Sequence, residues 1–300
     1  MSIPIPSGAS LMAALGLPSE PVHFQTGGFK AVFRMQNAAG VTEALKAVWL
    51  PDSADQVEDA DSFREQMVAR ATREVQALGQ CQSPHLVKLG SVPATPQQLD
   101  TGDYLVYSEE FLPGEALGEW LRKQYRPDFD TLRLLASTLI DLIRTLFDLG
   151  YLHRDIKPEN VMDTGLPDRR FVVLDLGIAF KMHGTRLTQP GFAPGTRHYM
   201  APEVFDPTRR HEMDVRRDLY SAALTVYVLA SGRHPFAPNP ESTVATIYRI
   251  LHDRPPPLHT LRPDLPADFC RLVDRCIKKD PALRYAKLEQ ALHDLERCQA

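Results

Sequence analysis

At Pro113-Gly114 the hydrophobic pattern of the chain changes its period. Before that point, runs rich in β-branched and aromatic residues lie at 22–24, 31–35 and 44–50, parted by Gly27-Gly28 and by the turn at 37–40, and read as strands joined by short reversals. Two further short runs, 86–89 and 104–107, extend the strand count. A single helix is predicted among them over 63–80, where Met67, Ala71 and Leu78 fall on one stripe together with Glu74. A carboxylate on that stripe faces other structure rather than water. Beyond the switch, Leu132, Leu135, Leu139, Leu142, Ile143 and Leu146 make the apolar face of a long helix, with Gly150 placed to cap it. One apolar strand, 171–174, interrupts the helical remainder. Strands gathered in the first third and helices in the rest predict an α+β chain of two lobes. The boundaries are a flexible, Pro/Ser/Gly-rich lead-in over 1–21, a small strand-rich lobe over 22–112 and a larger helical lobe over 113–297.

Length and charge narrow the function classes. Three hundred residues suit one two-lobed enzyme, and a 43% hydrophobic content supplies a sizeable core. A net charge of −4 with no long basic block argues against nucleic acid or an anionic membrane as the main partner. The four cysteines (Cys81, Cys270, Cys276, Cys298) show no CxxC spacing and read as reduced thiols. No basic region leads into an apolar run at the N-terminus, Ser2 excludes the N-myristoylation pattern, and the longest apolar stretch (219–230) is too short to span a bilayer. A cytoplasmic location without a membrane partner is therefore expected. No internal repeat and no signal of oligomeric state is visible.

The densest chemistry is the run His153-Arg154-Asp155-Ile156-Lys157-Pro158-Glu159-Asn160, followed by a buried strand ending in Asp175-Leu176-Gly177. An acid at the end of such a strand, with glycine two residues on, is well placed to hold a metal ion at the mouth of a cleft. Here the chain resembles the eukaryotic-like (Hanks-type) serine/threonine protein kinase family: the run fits H-R-D-x-x-x-x-N, and Asp-Leu-Gly is a variant of D-F-G. The resemblance spans about residues 22–297 and includes both lobes. The compact lead-in, the Pro255-Pro256-Pro257 run and short loops look more like bacterial members.

The resemblance implies a role for each matched residue. Asp155 would accept the proton of the incoming hydroxyl, Lys157 would lie against the transferring phosphoryl group, and Asn160 and Asp175 would ligate Mg²⁺, with Mn²⁺ an alternative. Lys46, in Ala44-Leu45-Lys46, looks like the strand lysine of V-A-I-K, with Glu74 as its carboxylate partner. ATP would be covered by the segment Gln25–Val32, which matches G-x-G-x-x-G-x-V at Gly27, Phe29 and Val32, adds Gly28, and departs from it at Gln25 and Lys30. The backbone from Glu110 to Leu112 would meet the adenine. Gly195 to Glu203 is similar to the family's peptide-docking segment, with Thr196 bonded to Asp155 and Lys157 and Glu203 paired with Arg284. Asp218 reads either as a plain helix N-cap or, by resemblance, as a brace on the catalytic loop's backbone. Arg154 would receive a phosphate on the activation segment, with Thr185 and Thr188 as acceptors and Thr188 favoured beside Gln189-Pro190-Gly191.

The activity so implied is transfer of the γ-phosphate of ATP to protein Ser/Thr hydroxyls, including autophosphorylation of the activation segment. Two other classes compete. A non-catalytic scaffold draws on the altered glycine loop and is opposed by the full set Lys46, Glu74, Asp155, Asn160 and Asp175. A small-molecule kinase shares the base and metal residues but generally lacks Lys157 and the Ala201-Pro202-Glu203 segment, both present here.

Overall fold

The computed structural model describes residues 3–50, 60–176, 196–206, 208, 214–237 and 242–299. The first lobe is an antiparallel five-stranded sheet ordered β1-β2-β3-β5-β4, from β1 (Val22–Gly27), β2 (Lys30–Gln36), β3 (Thr42–Leu50), β4 (Thr95–Leu99) and β5 (Gly102–Glu110). Alternating side chains give the sheet two different faces. One face buries Ala31, Phe33, Met35, Leu45, Ala47, Tyr104 and Val106. The other sets Val48, Leu50, Leu105 and Tyr107 against Met67 and Ala71 of helix α2 (Ala60–Gln80).

The lead-in expected to be flexible is instead a docked helix, α1 (Gly8–Leu15). Ser7 caps it by accepting from the Ser10 amide, and Gly16 ends it in the left-handed conformation at φ 62°. Ile3 and Leu11 enter the cluster on the first sheet face. Asp100 accepts from the Ser7 amide at 3.1 Å, and the Tyr104 hydroxyl donates to the Pro4 carbonyl at 2.9 Å. Complete burial of Leu11 contributes about 2 kcal/mol. A Pro/Ser/Gly composition hid this because the apolar residues that dock number only a few.

The second lobe gathers around α4 (Phe129–Asp148) and α5 (Arg216–Ser231). The Asp128 carboxylate caps α4 by accepting from the Thr131 amide, and the predicted leucine face is buried throughout. Residues 217–230 of α5 are buried on all sides, so its sequence shows no polar stripe. Thr225 donates to the Ser221 carbonyl within the helix, while Ser221 reaches the Tyr199 carbonyl at 2.8 Å and Tyr227 the Pro256 carbonyl, and the buried Tyr220 hydroxyl has no hydrogen-bond partner among the described residues. Helices α3 (Leu117–Arg122), α6 (Thr243–His252), α7 (Leu258–Leu261), α8 (Ala267–Cys276) and α9 (Leu288–Arg297) surround this pair. A small sheet of β6 (Glu115–Ala116), β7 (Val161–Asp163) and β8 (Phe171–Val173) lies beside the joint between the lobes.

Residues 86–89, expected to be a strand, form isolated bridges from Leu86 to Val173 and from Leu89 to Glu109. They serve as a seam: the Val87 amide donates to the Val173 carbonyl at 3.0 Å and the Val173 amide to the His85 carbonyl at 2.8 Å. The four cysteines are free and buried. Among the described residues no helix is long and apolar enough to cross a membrane.

Candidate active site

Strand register decides which side chains meet in the cleft. Lys46 stands opposite Val32 on β2 and Tyr107 on β5, while Lys30 stands opposite Val48 and Glu109 opposite Ala44. Side chains alternate along each strand, so Lys30, Val32, Lys46, Tyr107 and Glu109 share the face turned to α2 and to the second lobe. Glu109, two residues beyond Lys46's direct partner, is its diagonal neighbour, within reach of a long side chain.

That geometry corrects the expected pairing. The Lys46 ammonium donates to Glu109 Oε1 and to Asp175 Oδ1, each at 2.5 Å, and it lies over the Tyr107 ring at 5.6 Å. Glu74 is buried where the helical stripe put it, yet its Oε1 has no hydrogen-bond partner. Its carboxylate lies with those of Glu109 and Asp175, their oxygens within 4.8 Å of one another. Glu109 reaches Lys46 from the adjacent strand of the same sheet, whereas Glu74 comes from the helix packed above it. Asp175 Oδ1 also accepts a salt bridge from Lys30 at 2.5 Å.

The protonation of the cluster follows from burial set against charge. Burial works to discharge Lys46, but Asp175 and Glu109 outweigh it and hold the ammonium well above its usual range. Burial works likewise to neutralise Asp175, and Lys30 and Lys46 reverse that, keeping its carboxyl far below the ordinary value. Glu109 is raised by burial against the pull of Lys46. Glu74 is pushed up to about 7, chiefly by burial, with Lys30 and Lys46 opposing.

The second group sits on the loop between α4 and β7. Lys157 Nζ lies 3.0 Å from Asp155 Oδ2 and 3.1 Å from Oδ1, and Asn160 Nδ2 donates to Asp155 Oδ2 at 2.8 Å and to its carbonyl at 2.9 Å. Oδ1 is thus the less committed carboxylate oxygen. Burial raises the Asp155 carboxyl, with Lys157 and Asn160 opposing. Arg154 (φ 67°) and Asp175 (φ 49°) both hold left-handed backbone, a cost of about 1–3 kcal/mol each for a residue that is not glycine. Asp218 stabilises the first of these turns. Its Oδ2 accepts the His153 amide at 2.6 Å and its Oδ1 the Arg154 amide at 2.8 Å. It sits in the first turn of α5, whose N-cap is Val215, and bonds the loop at residues 153–154 rather than its own helix end. Burial nonetheless lifts the Asp218 carboxyl to about 6.

Asp175 and Asn160 supply the hard oxygens that a divalent metal prefers. Asn160's amide nitrogen is occupied by Asp155, which leaves its side-chain oxygen as the ligand atom, and Asp175 Oδ1 already draws two cationic groups. These residues fit a Mg²⁺ ion.

Below the loop, Arg284 forms a bidentate pair with Glu203 at 2.7 and 2.8 Å, both side chains buried. The same guanidinium donates to the carbonyls of Arg216, Lys278 and Lys279. Gly27 ends β1 and Gly28 turns the hairpin at φ 58°, with nothing within 4 Å of either Cβ position. Leu112 is buried in the second lobe's core.

Glu110 is only in part as expected. Its amide already donates to the Lys88 carbonyl at 2.9 Å, so its carbonyl is the group left for a base. Its carboxylate takes a bidentate salt bridge from Arg169 at 2.5 and 2.6 Å, and Arg169 also donates to the carbonyls of Pro84 and Leu86. Thr185 and Thr188 lie outside the described residues. Thr196 opens a short 3-10 turn, Thr196–Tyr199, and its side chain likewise falls outside what is described.

Comparison with known proteins adds three kinds of finding. A family model described as "Protein kinase domain" matches residues 26–295. The chain is 31% identical over 244 residues to the serine/threonine-protein kinase pkn3 of Myxococcus xanthus, covering 77% of this chain and 42% of that protein. It is 36% identical over 182 residues to the serine/threonine-protein kinase PknA of Mycobacterium tuberculosis, covering 61% and 39%. The chain therefore spans well under half the length of these curated relatives. The solved kinase domain of M. tuberculosis PknI superposes with a TM-score of 0.64 at 22% identity, covering 92% of each chain, and so shares the fold.

Proposed function

The chain belongs to the protein kinase domain family, and from that premise we propose that it transfers the γ-phosphate of ATP to serine and threonine hydroxyls of proteins. The observation that carries this reading is the joint placement of Asp155, Lys157 and Asn160 on one loop with Asp175 and Lys46 at the cleft.

Phosphoryl transfer asks a protein for positioning and charge more than for covalent chemistry. Asp155 orients the substrate hydroxyl and takes its proton at the carboxylate as the oxygen bonds to the γ-phosphorus and the bond to ADP breaks. Oδ1 is the oxygen with room for that proton, and burial increases its appetite for it. Lys157 holds a positive charge 3.0 Å from the base, where it faces the charge building on the transferring group. Asn160 fixes the base through two hydrogen bonds and, with Asp175, would hold Mg²⁺. A metal ion bound there supplies neutralisation of the phosphate oxygens. Lys46 would steady the phosphates from the roof of the cleft. The Glu110 carbonyl and the Leu112 backbone would meet the base. Arg154, on its strained turn, would receive an activation-segment phosphate, with Thr185 or Thr188 as the acceptor. Water-accessible protein substrates in the cytoplasm suit such a site.

Incubation with γ-labelled ATP and Mg²⁺, followed by peptide mapping, tests the proposal. Label is expected on serine or threonine within residues 182–196, and Asp155→Ala should lower its incorporation by about 10²–10⁴-fold. Label that survives Asp155→Ala overturns the mechanism, and nucleotide binding without transfer by the wild type points to a scaffold.

A further inference from the structure

Lys30 stands where the family's glycine-rich loop carries its third glycine, and its side chain does something no glycine can. It begins β2 directly after the Gly28-Phe29 turn, on the sheet face it shares with Val32 and Lys46. From there it crosses the cleft to Asp175 Oδ1, the same oxygen that Lys46 holds. Two ammonium groups on one carboxylate oxygen repel each other, and only nearby anions make the arrangement tolerable.

The two lysines differ in what else holds them. Lys46 is almost fully buried and has Glu109 as a second partner. Lys30 is a quarter exposed, and among the described residues Asp175 is its one ion-pair partner. If the Asp175 charge is drawn to a metal ion, Lys46 keeps its ion pair with Glu109, whereas Lys30 loses its ion pair and is left with the more distant carboxylates of Glu74 and Glu109. The group that enters this cleft with a metal is itself anionic, and a phosphate oxygen is a suitable acceptor for a mobile ammonium.

We propose that Lys30 is a phosphate ligand of the nucleotide site, held on Asp175 in the ligand-free chain and passed to the polyphosphate of ATP when the nucleotide enters. It would supply by side-chain charge what a glycine-rich loop supplies by close backbone approach. That fits the open space around Gly27 and Gly28, where the glycines are not packed against anything. The inference rests on the ATP reading above.

Calorimetric titration of the 300-residue chain with MgATP and, separately, with adenosine tests it, on wild type, Lys30→Met and Lys30→Arg. Lys30→Met is expected to weaken MgATP binding about tenfold while adenosine binding stays within about twofold, and Lys30→Arg should retain most of the MgATP affinity. Adenosine lacks phosphate, so its unchanged binding also reports an intact cleft. Equal or tighter MgATP binding by Lys30→Met would overturn the proposal and leave Lys30 as a lock on Asp175. Parallel loss of MgATP and adenosine would overturn it too, as a sign of a structural role. A wild-type chain that binds adenosine but not MgATP refutes the phosphate site, and one that binds neither refutes the ATP reading itself.

Discussion

Glu74 is the residue whose environment makes the sharpest demand. Its Oε1 is buried without a partner, and burial lifts the carboxyl from an ordinary 4.5 to about 7. A raised value means that the folded chain holds the proton more tightly than the unfolded one, so ionisation costs stability. No penalty exists below about pH 4.5; it grows as the pH rises toward 7 and is constant above. In metal-free buffer, Glu74→Gln should match the wild type near pH 4.5 and exceed it by on the order of 1–3 kcal/mol at pH 8. Thermal unfolding across that range checks this, and a gap that does not vary with pH would refute it. The inward face of Glu74 could be read from helical spacing alone. Its partner could not, because the sequence shows a carboxylate that needs a cation but not which carboxylate reaches the cation first. Glu109 was within reach of a parity argument. Once β3 and β5 are paired with Lys46 opposite Tyr107, residue 109 must fall on the lysine's face.

Elements were legible in proportion to how strongly they repeat. The leucine face of α4 and the strands β2 and β3 carry clear periods, and each forms. β4, Thr-Pro-Gln-Gln-Leu, is an edge strand with little β-propensity, and only its pairing with β5 defines it. Arg284, which the family resemblance paired with Glu203, is a staple between elements. It joins the segment Pro202–Phe205, the start of α5 and the chain before α9 through five acceptor atoms. Arg284→Ala would strand the Glu203 carboxylate in a buried site and remove those contacts together. A loss of about 3–5 kcal/mol is expected in urea unfolding, since a buried pair broken on one side leaves an uncompensated charge. A loss below 1 kcal/mol would show that water reaches Glu203 freely.

At the scale of the molecule, the division into two lobes was visible from the change of period at Pro113-Gly114, because it reflects where strands end and helices begin. How the lobes hold together was not visible. That depends on single long side chains, Arg169 on Glu110 and Lys30 and Lys46 on Asp175, and on the backbone seam at Val87 and Val173. Composition also concealed α1, and its presence bears on how the protein is best produced. A gene trimmed to begin at Val22, as the family match from residue 26 would invite, strips the cover from Phe33, Leu99 and Tyr104. Such a shortened product should scatter light and self-associate at concentrations where the longer one stays monodisperse, through an apolar patch laid bare on the sheet. Equal scattering by both would show that the patch closes on its own. For anyone making this protein at the bench, the first residue retained belongs ahead of Ile3.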